Sequence, residues 1–429
     1  MSRIAIIGAG PIGLEAALLA RQFGHDAQIF EKGHVAENIL DWGHIRLFSP
    51  FGINTSEWGR GAIAKSLGHD ALPGDDELLT GCEFAERYLI PLSRSPELTG
   101  RIHEQTQVQS ISRRHFRKTD GIGSAVRGRE PFLLLVEREG IQRVEFADVV
   151  LDCSGTYPHH QWVGDGGMPC LGERHSLTET NYRLPMIRRE EFGNRTTLVI
   201  GSGFSAATSV VKLAELAKLD PQTKVLWIAK SQPPPYESDG PLLRIPNDPL
   251  VERDRLAAKV NELASLGHVS RAASPEAPQH PVVWFPNAVV KSLKSSPTYR
   301  EFNGFEIELD DSQATEQGSA LPARLTVDRM IANVGYRPDR SIYEELHVHE
   351  CYSTQGPIKL AAKLLGETSS DCIAQTSHGS DVLKNPEPNF FILGSKSYGR
   401  NSNFLLKVGI EQVCDVLTSL GRDSLGRSV

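Results

Sequence analysis

Closely spaced cysteine pairs are missing from this sequence. Its six cysteines, Cys82, Cys153, Cys170, Cys351, Cys372 and Cys414, are scattered over 429 residues. That spacing excludes zinc-ribbon sites and dithiol redox centres and reads as free thiols in a reducing cytoplasm. Uncharged apolar runs of membrane-spanning length are also missing, so no membrane span is expected. Nor is there an excess of positive charge: 46 Lys and Arg stand against 53 Asp and Glu, a net charge of −7. This balance favours solubility and offers phosphate backbones no global attraction, so nucleic acid is not an expected partner. Met1-Ser2-Arg3 leads straight into Ile4-Ala5-Ile6-Ile7 and then glycine, without the apolar region and cleavage site of a signal peptide. A cytoplasmic protein is expected. Short-period repeats are absent.

Hydrophobic content of 39% and charged content of 23% are those of an ordinary globular protein. The length exceeds one ordinary core and favours two or three domains, or one fold interrupted by another. Arg3 to Ile7 is a short apolar run bounded by glycine, as in a buried parallel strand. Ile12 to Phe23 has helical composition, and Ala27 to Phe30 reads as a second strand. The same order recurs at Thr196 to Ile200, Ser205 to Leu219 and Lys224 to Ala229, which predicts two dinucleotide-type folds.

Between them, Glu104 to Ser112, Pro131 to Glu137 and Val144 to Asp152 read as strands, the last running into Cys153-Ser154-Gly155. Gln232 to Asp248, Ser265 to Pro281 and Asp311 to Pro322 read as surface connections or a substrate-side lid. An apolar run, Asn389 to Gly394, precedes a closing helix expected from about Phe404 to Leu420 and stopping at Gly421. The basic run Arg113-Arg114-His115-Phe116-Arg117-Lys118 reads as a solvated loop. His159-His160, His347, His349 and His378 lack a neighbouring cysteine or i, i+4 spacing, so no metal site is expected.

Gly8-Ala9-Gly10-Pro11-Ile12-Gly13 follows a predicted strand and opens a predicted helix, the context that gives a glycine pattern its meaning. Gly8 would make the tight turn, Gly10 would admit a pyrophosphate, and Gly13 would let helix and strand pack closely. The helix N-terminus would present N–H groups to the phosphates. Glu31, before Lys32, stands at the spacing where an acid accepts hydrogen bonds from a ribose. This site is expected to bind FAD or NAD.

Gly201-Ser202-Gly203-Phe204-Ser205-Ala206 repeats the pattern after Thr196 to Ile200, with Ala206 in place of the third glycine. After the next strand Lys230 takes the place of the acid. A cation there suits a 2′-phosphate and favours NADPH over NADH; the alternative is a surface lysine beside either cofactor. One chain with two such folds brings two dinucleotides together, and the economical reason is hydride passing from nicotinamide to flavin.

With both fingerprints in place, the chain resembles the two-dinucleotide-binding-domain flavoproteins, and within them the flavin-containing and N-hydroxylating monooxygenases. Asp152-Cys153-Ser154-Gly155-Thr156 is similar to the crossing between domains in that family, and Asn333-Val334-Gly335-Tyr336-Arg337-Pro338-Asp339 to the return crossing. Gly394, Gly399, Glu411 and Gln412 match a C-terminal flavin-side spacing. Gly52-Ile53-Asn54-Thr55-Ser56 resembles a segment that places an asparagine beside the flavin. Lys396 to Arg400 and Gly409 to Val413 are similar to bacterial flavoproteins encoded near arsenic- or metal-resistance genes. The linker Asn181 to Asn194 lacks the aromatic, glycine and histidine signature of the monooxygenases. The Gly-Asp pair of the reductases is also absent, since Ser395 and Lys396 follow Gly394.

The resemblance implies an α/β fold with two Rossmann-like dinucleotide-binding domains, an FAD domain interrupted by an NAD(P)H domain. Residues 1–185 and 335–429 would be the two parts of the first and residues 186–334 the second. Besides the fingerprint residues, it implies FAD contacts at Val108, Ser154, Gly155, Gly394 and Phe404. The activity implied is NADPH-dependent oxygenation of a small molecule through a C4a-(hydro)peroxyflavin, with Asn54 as hydrogen-bond donor or, on the alternative reading, only a turn residue. An NAD(P)H-dependent flavin reductase serving a quinone, a metal species or a carrier protein is the alternative enzyme. A non-catalytic flavin-binding or redox-sensing protein is a third reading. The oligomeric state is left open.

Overall fold

Apolar runs of four to six residues form most strands of the two parallel sheets of this protein and set its layers. The computed structural model describes residues 1–229, 240–267, 280–286, 288–299, 302–310, 322–366 and 375–425. The chain forms two units, Met1–His159 with Tyr336–Val429, and His160–Gly335.

In the first unit the strands are β1 (Arg3–Ile7), β2 (Asp26–Phe30), β3 (Ile102–His103), β4 (Gln107–Arg113), β5 (Phe132–Arg138), β6 (Ile141–Ala147), β7 (Val149–Asp152) and the last strand, β15 (Phe390–Ile392). A parallel sheet runs in the order β15-β7-β1-β2-β3, and β4, β5 and β6 form an antiparallel sheet. Helix α1 (Pro11–Gln22) is buried along most of its length because Ile12, Leu14, Ala16 to Ala20 and even Glu15 face protein. Helix α2 (Glu57–Leu67) starts at Ser56, whose hydroxyl caps the Gly59 N–H. The closing helix, α5 (Leu406–Leu425), packs on α1 through Val408, Val413, Val416 and Leu417.

The second unit carries β8 (Thr196–Ile200), β9 (Lys224–Ala229), β10 (Val282–Pro286), β11 (Val289–Tyr299), β12 (Phe302–Asp310), β13 (Arg324–Val327) and β14 (Arg329–Ala332). Its parallel sheet runs β10-β9-β8-β14, and β11, β12 and β13 form an antiparallel sheet. Helices α3 (Phe204–Leu219) and α4 (Val251–Leu266) pack together, and their apolar faces enclose Trp227 and Trp284. Each unit is thus a Rossmann-like α/β sheet with a smaller antiparallel sheet, as the strand-helix-strand units predict.

Four local expectations need correction. The run Val144 to Asp152 is two strands in two sheets, because Asp148 turns the chain and fastens to the Arg3 N–H (2.8 Å) and guanidinium (3.1 Å). The segment Glu104 to Ser112 begins outside any strand, and β4 starts at Gln107. Arg113 is no solvated loop residue: it ends β4 with its side chain wholly buried against Glu387. Gly421 does not stop α5, since a glycine inside a helix costs only about 1 kcal/mol and longer-range packing outweighs it. The connections expected at Ser265 to Pro281 and Asp311 to Pro322 lie largely outside the described residues, as does the first part of Gln232 to Asp248. Among the described residues no helix is long and apolar enough to cross a membrane.

Candidate dinucleotide-binding sites

At the carboxyl ends of β1, β7 and β15 the first unit brings three turns together. Gly8 follows β1 with φ +97°, and a Cβ there would meet the Cys153 carbonyl oxygen at 2.9 Å and Ser154 Cα at 3.1 Å. Glycine is required on both counts. Gly13 packs so tightly that a Cβ would lie 1.9 Å from the Gly8 oxygen. The Cβ direction of Gly155 points at Ser395 Oγ, 3.5 Å away, and that of Gly394 at Ile12 Cγ1, 3.1 Å away. Turns 8–13, 153–155 and 394–398 therefore close on one another. Gly10 is the exception, with nothing within 4 Å of its Cβ position. It caps α1 without a side-chain bond, and Pro11 takes the first helical position, so Ile12 and Gly13 head the helix where its dipole is positive.

Glu31 lies just beyond β2 and accepts from the Ala9 N–H at 2.7 Å and the Gly33 N–H at 2.8 Å. A carboxylate offers about four lone-pair sites, so two bonds leave room for hydroxyl donors. Lys32 beside it is exposed. Ser154 donates its hydroxyl (2.6 Å) and its N–H (3.1 Å) to Asp152 Oδ1. Gln412 on α5, fully buried, accepts from the Gly394 N–H at 2.9 Å and exchanges bonds with Ser397. Phe404 stands two residues before α5, its ring 5.3 Å from that of Tyr398. Val108 is elsewhere: it lies in β4, opposite Val136, on the antiparallel sheet.

Asn54 is buried and tied to Ser49, whose hydroxyl donates to Asn54 Oδ1 (2.7 Å) and whose carbonyl accepts from Nδ2 (2.9 Å). One amide proton then has no protein partner among the described residues. The segment is anchored one turn later, where Ser56 donates its hydroxyl to Glu15 Oε2 at 2.6 Å and its N–H to Oε1 at 3.1 Å. Tyr88 OH also donates to Glu15. Burial holds the Glu15 carboxyl above its ordinary range against the hydrogen bonds from Ser56 and Tyr88.

The second unit repeats the first turn with changes. Gly201 follows β8, and a Cβ would lie 2.2 Å from the Asn333 oxygen. Its carbonyl accepts from Trp227 Nε1 at 2.9 Å. Ala206, at the third glycine position, is fully buried on α3. Gly203, like Gly10, has nothing within 4 Å of its Cβ position and caps its helix without a side-chain bond. Ser202, Phe204 and Ser205 surround it at the head of α3; Lys230 lies outside the described residues.

Sequence reasoning missed Asp152 and Lys396, which pair at 2.6 Å with both side chains wholly buried. The available signal was a charged residue closing the apolar run Val149-Val150-Leu151 and a lysine two positions after Gly394. Burial pushes the Cys153 thiol well above its ordinary range, consistent with a packed residue and not a nucleophile. Among the described residues no group of His, Cys, Asp or Glu could hold a metal ion.

Residues 5–119 match the pyridine nucleotide-disulphide oxidoreductase family. No curated protein matches the sequence. Among solved structures the chain is similar to the bacillithiol disulfide reductase Bdr of Bacillus cereus (16% identity, 98% of this chain and 99% of that one, TM-score 0.62). It is also similar to thioredoxin reductase of T. acidophilum (15%, 99% of each chain, TM-score 0.57). A third likeness is to the ornithine N-hydroxylase of Kutzneria sp. 744, solved with reduced FAD, NADP+ and L-ornithine (16%, 98% and 99%, TM-score 0.56). The fold is therefore that of the FAD-dependent pyridine-nucleotide oxidoreductases. Reductases and an N-hydroxylase share it, so the chemistry has to be argued from the site.

Proposed function

We propose that the protein is an FAD-dependent, NADPH-using oxidoreductase that oxygenates a small molecule at a soft nucleophilic atom. The first unit would hold FAD and the second the nicotinamide cofactor. The observation that carries this reading is the closure of three glycine turns on one another at Gly8, Gly155 and Gly394, with the Cβ position of Gly10 left open at the head of α1. Gly8, Ala9, Gly10, Pro11, Ile12 and Gly13 would receive the pyrophosphate at the head of α1, and Glu31 would take the ribose hydroxyls beside Lys32. Ser154, Gly155, Gly394 and Phe404 would border the remainder, with Val108 a further FAD contact from β4. Gly201, Ser202, Gly203, Phe204 and Ser205 would receive the second pyrophosphate, and Lys230 the 2′-phosphate. Bound in the first unit, FAD supplies a hydride acceptor and, once reduced, reactivity toward oxygen.

Asn54 is the residue we assign to that oxygen chemistry. Ser49 fixes its amide plane, and a preorganised N–H donor stabilises negative charge where it develops. Dithiol chemistry is not favoured by the scattered spacing of the six cysteines, and burial raises the Cys153 and Cys170 thiols, the latter to about 12. The second reading is an NAD(P)H-dependent reductase passing electrons to a quinone, a metal species or a carrier protein. The linker Asn181 to Asn194, without the monooxygenase signature, favours it.

Anaerobic reduction of the flavin-loaded protein by NADPH and by NADH, followed by oxygen, separates the readings. NADPH-driven reduction with oxygen recovered in a small sulfur or nitrogen nucleophile supports the monooxygenase. Reduction with only hydrogen peroxide released, and rapid electron delivery to a quinone or metal ion, moves the assignment to the reductase. No reduction by either nucleotide sinks both.

A further inference from the structure

Asp152 closes β7, which is flanked in the sheet by β1 and β15, so its carboxylate sits where a parallel sheet is apolar. Lys396 Nζ meets Asp152 Oδ2 at 2.6 Å, and neither side chain is exposed. The same ammonium donates to Ser154 Oγ at 3.0 Å and lies 5.1 Å from the centre of the Tyr343 ring. Ser154 in turn donates its hydroxyl and its N–H to Asp152 Oδ1.

A buried ion pair is a poor way to stabilise a core. Each ion forfeits its hydration, and apolar residues of the same volume often serve as well or better. What the pair does here is geometric. It ties Ser154, whose Cα lies 3.1 Å from the Cβ position of Gly8 and whose neighbour Gly155 faces Ser395, to the short helical turn Gly394–Tyr398 that carries Lys396. Two of the three turns that close on one another are thus locked by charge-assisted hydrogen bonds that fix direction as well as distance.

We propose that Lys396 and Asp152 are a positioning pair that holds the Ser154–Gly155 turn in the shape that receives FAD. This rests on the reading that the first unit binds FAD. No other described contact of Ser154 restrains its hydroxyl, so without the ammonium and the carboxylate the turn loses its fixed orientation while the strands beneath it remain.

The test measures the dissociation constant and visible absorption bands of FAD in the full-length protein, for wild type, K396M, K396R, S154A and the double variant K396M/D152N. With the pair removed, FAD affinity falls about tenfold or more and the flavin bands lose their fine structure, while K396R restores most of both. S154A keeps the ion pair and the Ser154 N–H bond to Asp152 but removes the hydroxyl that joins both charges to the turn, and it weakens FAD several-fold with the melting temperature of the FAD-free protein unchanged. If K396M fails to fold because a lone carboxylate is left buried, S154A and the uncharged double variant carry the test. Affinities within about twofold of wild type and unaltered bands in those two variants overturn the proposal and leave FAD binding standing. A wild-type protein that neither retains nor takes up FAD overturns the functional reading and this inference together.

Discussion

Arg113 and Glu387 meet at 2.9 Å with both side chains wholly buried, although 274 positions separate them in the sequence. Arg127 completes the group from the other side, reaching Glu387 Oε2 at 2.8 Å, and Arg113 lies 3.4 Å above the Phe132 ring. One carboxylate therefore joins the antiparallel sheet to the segment that leads into β15. Glu387→Gln would leave two buried guanidinium groups sharing a neutral acceptor. The expected loss is about 3–5 kcal/mol of unfolding free energy, read by chemical denaturation. A change below about 1 kcal/mol would show that the group is dispensable.

The two glycines of the first turn should fail in different ways. Gly13 has the Gly8 carbonyl in its Cβ position, so Gly13→Ala destabilises the fold by about 1–3 kcal/mol or more. Gly10 faces open space, so Gly10→Val should leave the melting temperature of the FAD-free protein unchanged and abolish FAD retention. Retained FAD in a folded Gly10→Val protein would place the cofactor elsewhere.

Gly203 allows the same separation in the second unit, because its Cβ position is also open. Gly203→Val should keep the flavin spectrum and lose reduction by NADPH. Lys230→Ala should keep reduction but erase about tenfold, roughly 1.4 kcal/mol, of the preference in kcat/KM for NADPH over NADH. An unchanged preference would assign the 2′-phosphate to other residues.

Glu15 makes stability depend on pH in a direction opposite to most carboxylates. Burial raises it from its ordinary 4.5, with Ser56, Tyr88 and Arg60 opposing, so the folded protein binds the proton more tightly than the unfolded chain. Its contribution is full below 4.5 and is lost as pH rises through the folded value. As pH rises above 4.5 the wild-type melting temperature should fall relative to that of Glu15→Gln, whose amide keeps an acceptor for Tyr88 and the Ser56 N–H. Parallel curves for the two proteins would mean that Glu15 keeps one protonation state throughout.

Among the described residues Cys351 is a thiol poised to react. Hydrogen bonds from Thr354, then Ser353, pull it down to about 6, whereas burial pushes Cys153 far up, Cys170 up to about 12 and Cys414 up to about 11. Iodoacetamide at neutral pH should label Cys351 before those three, as seen by peptide mass mapping. The labelling rate should halve near pH 6, and a midpoint near the free-thiol value of about 8.5 would rule out a stabilised thiolate.

The parts that were legible in the sequence are those in which backbone geometry dictates residue type. Gly8 and Gly201 follow apolar strands and precede helices, and in each unit the glycine is demanded by a carbonyl at the end of the neighbouring strand, Cys153 or Asn333. Local pattern was enough for β1, α1, β8, α3 and β9. It was not enough for the run Val144 to Asp152, since both halves are apolar and only Asp148 marks the change of sheet. Nor does local sequence carry the pairing of Lys396 with Asp152 or of Glu387 with Arg113 and Arg127. In each the partners come from opposite ends of the chain, and composition around Arg113 suggested solvent where tertiary contacts supply a carboxylate. Gln412 stands out in the sequence by spacing alone; its physical task, holding the Gly394 N–H, comes only with the fold.

Interruption of the first unit by the second also has a consequence for synthesis. The ribosome delivers all of His160–Gly335 before β15 and α5 exist, so the inner unit has every strand of its sheets while the outer sheet still ends at β7. During that interval β7 is a bare parallel edge, and α1 has no α5 to cover its apolar side. A nascent chain halted before Phe390 would offer both to any chaperone within reach, and the second half of the outer unit is the signal that ends this exposure.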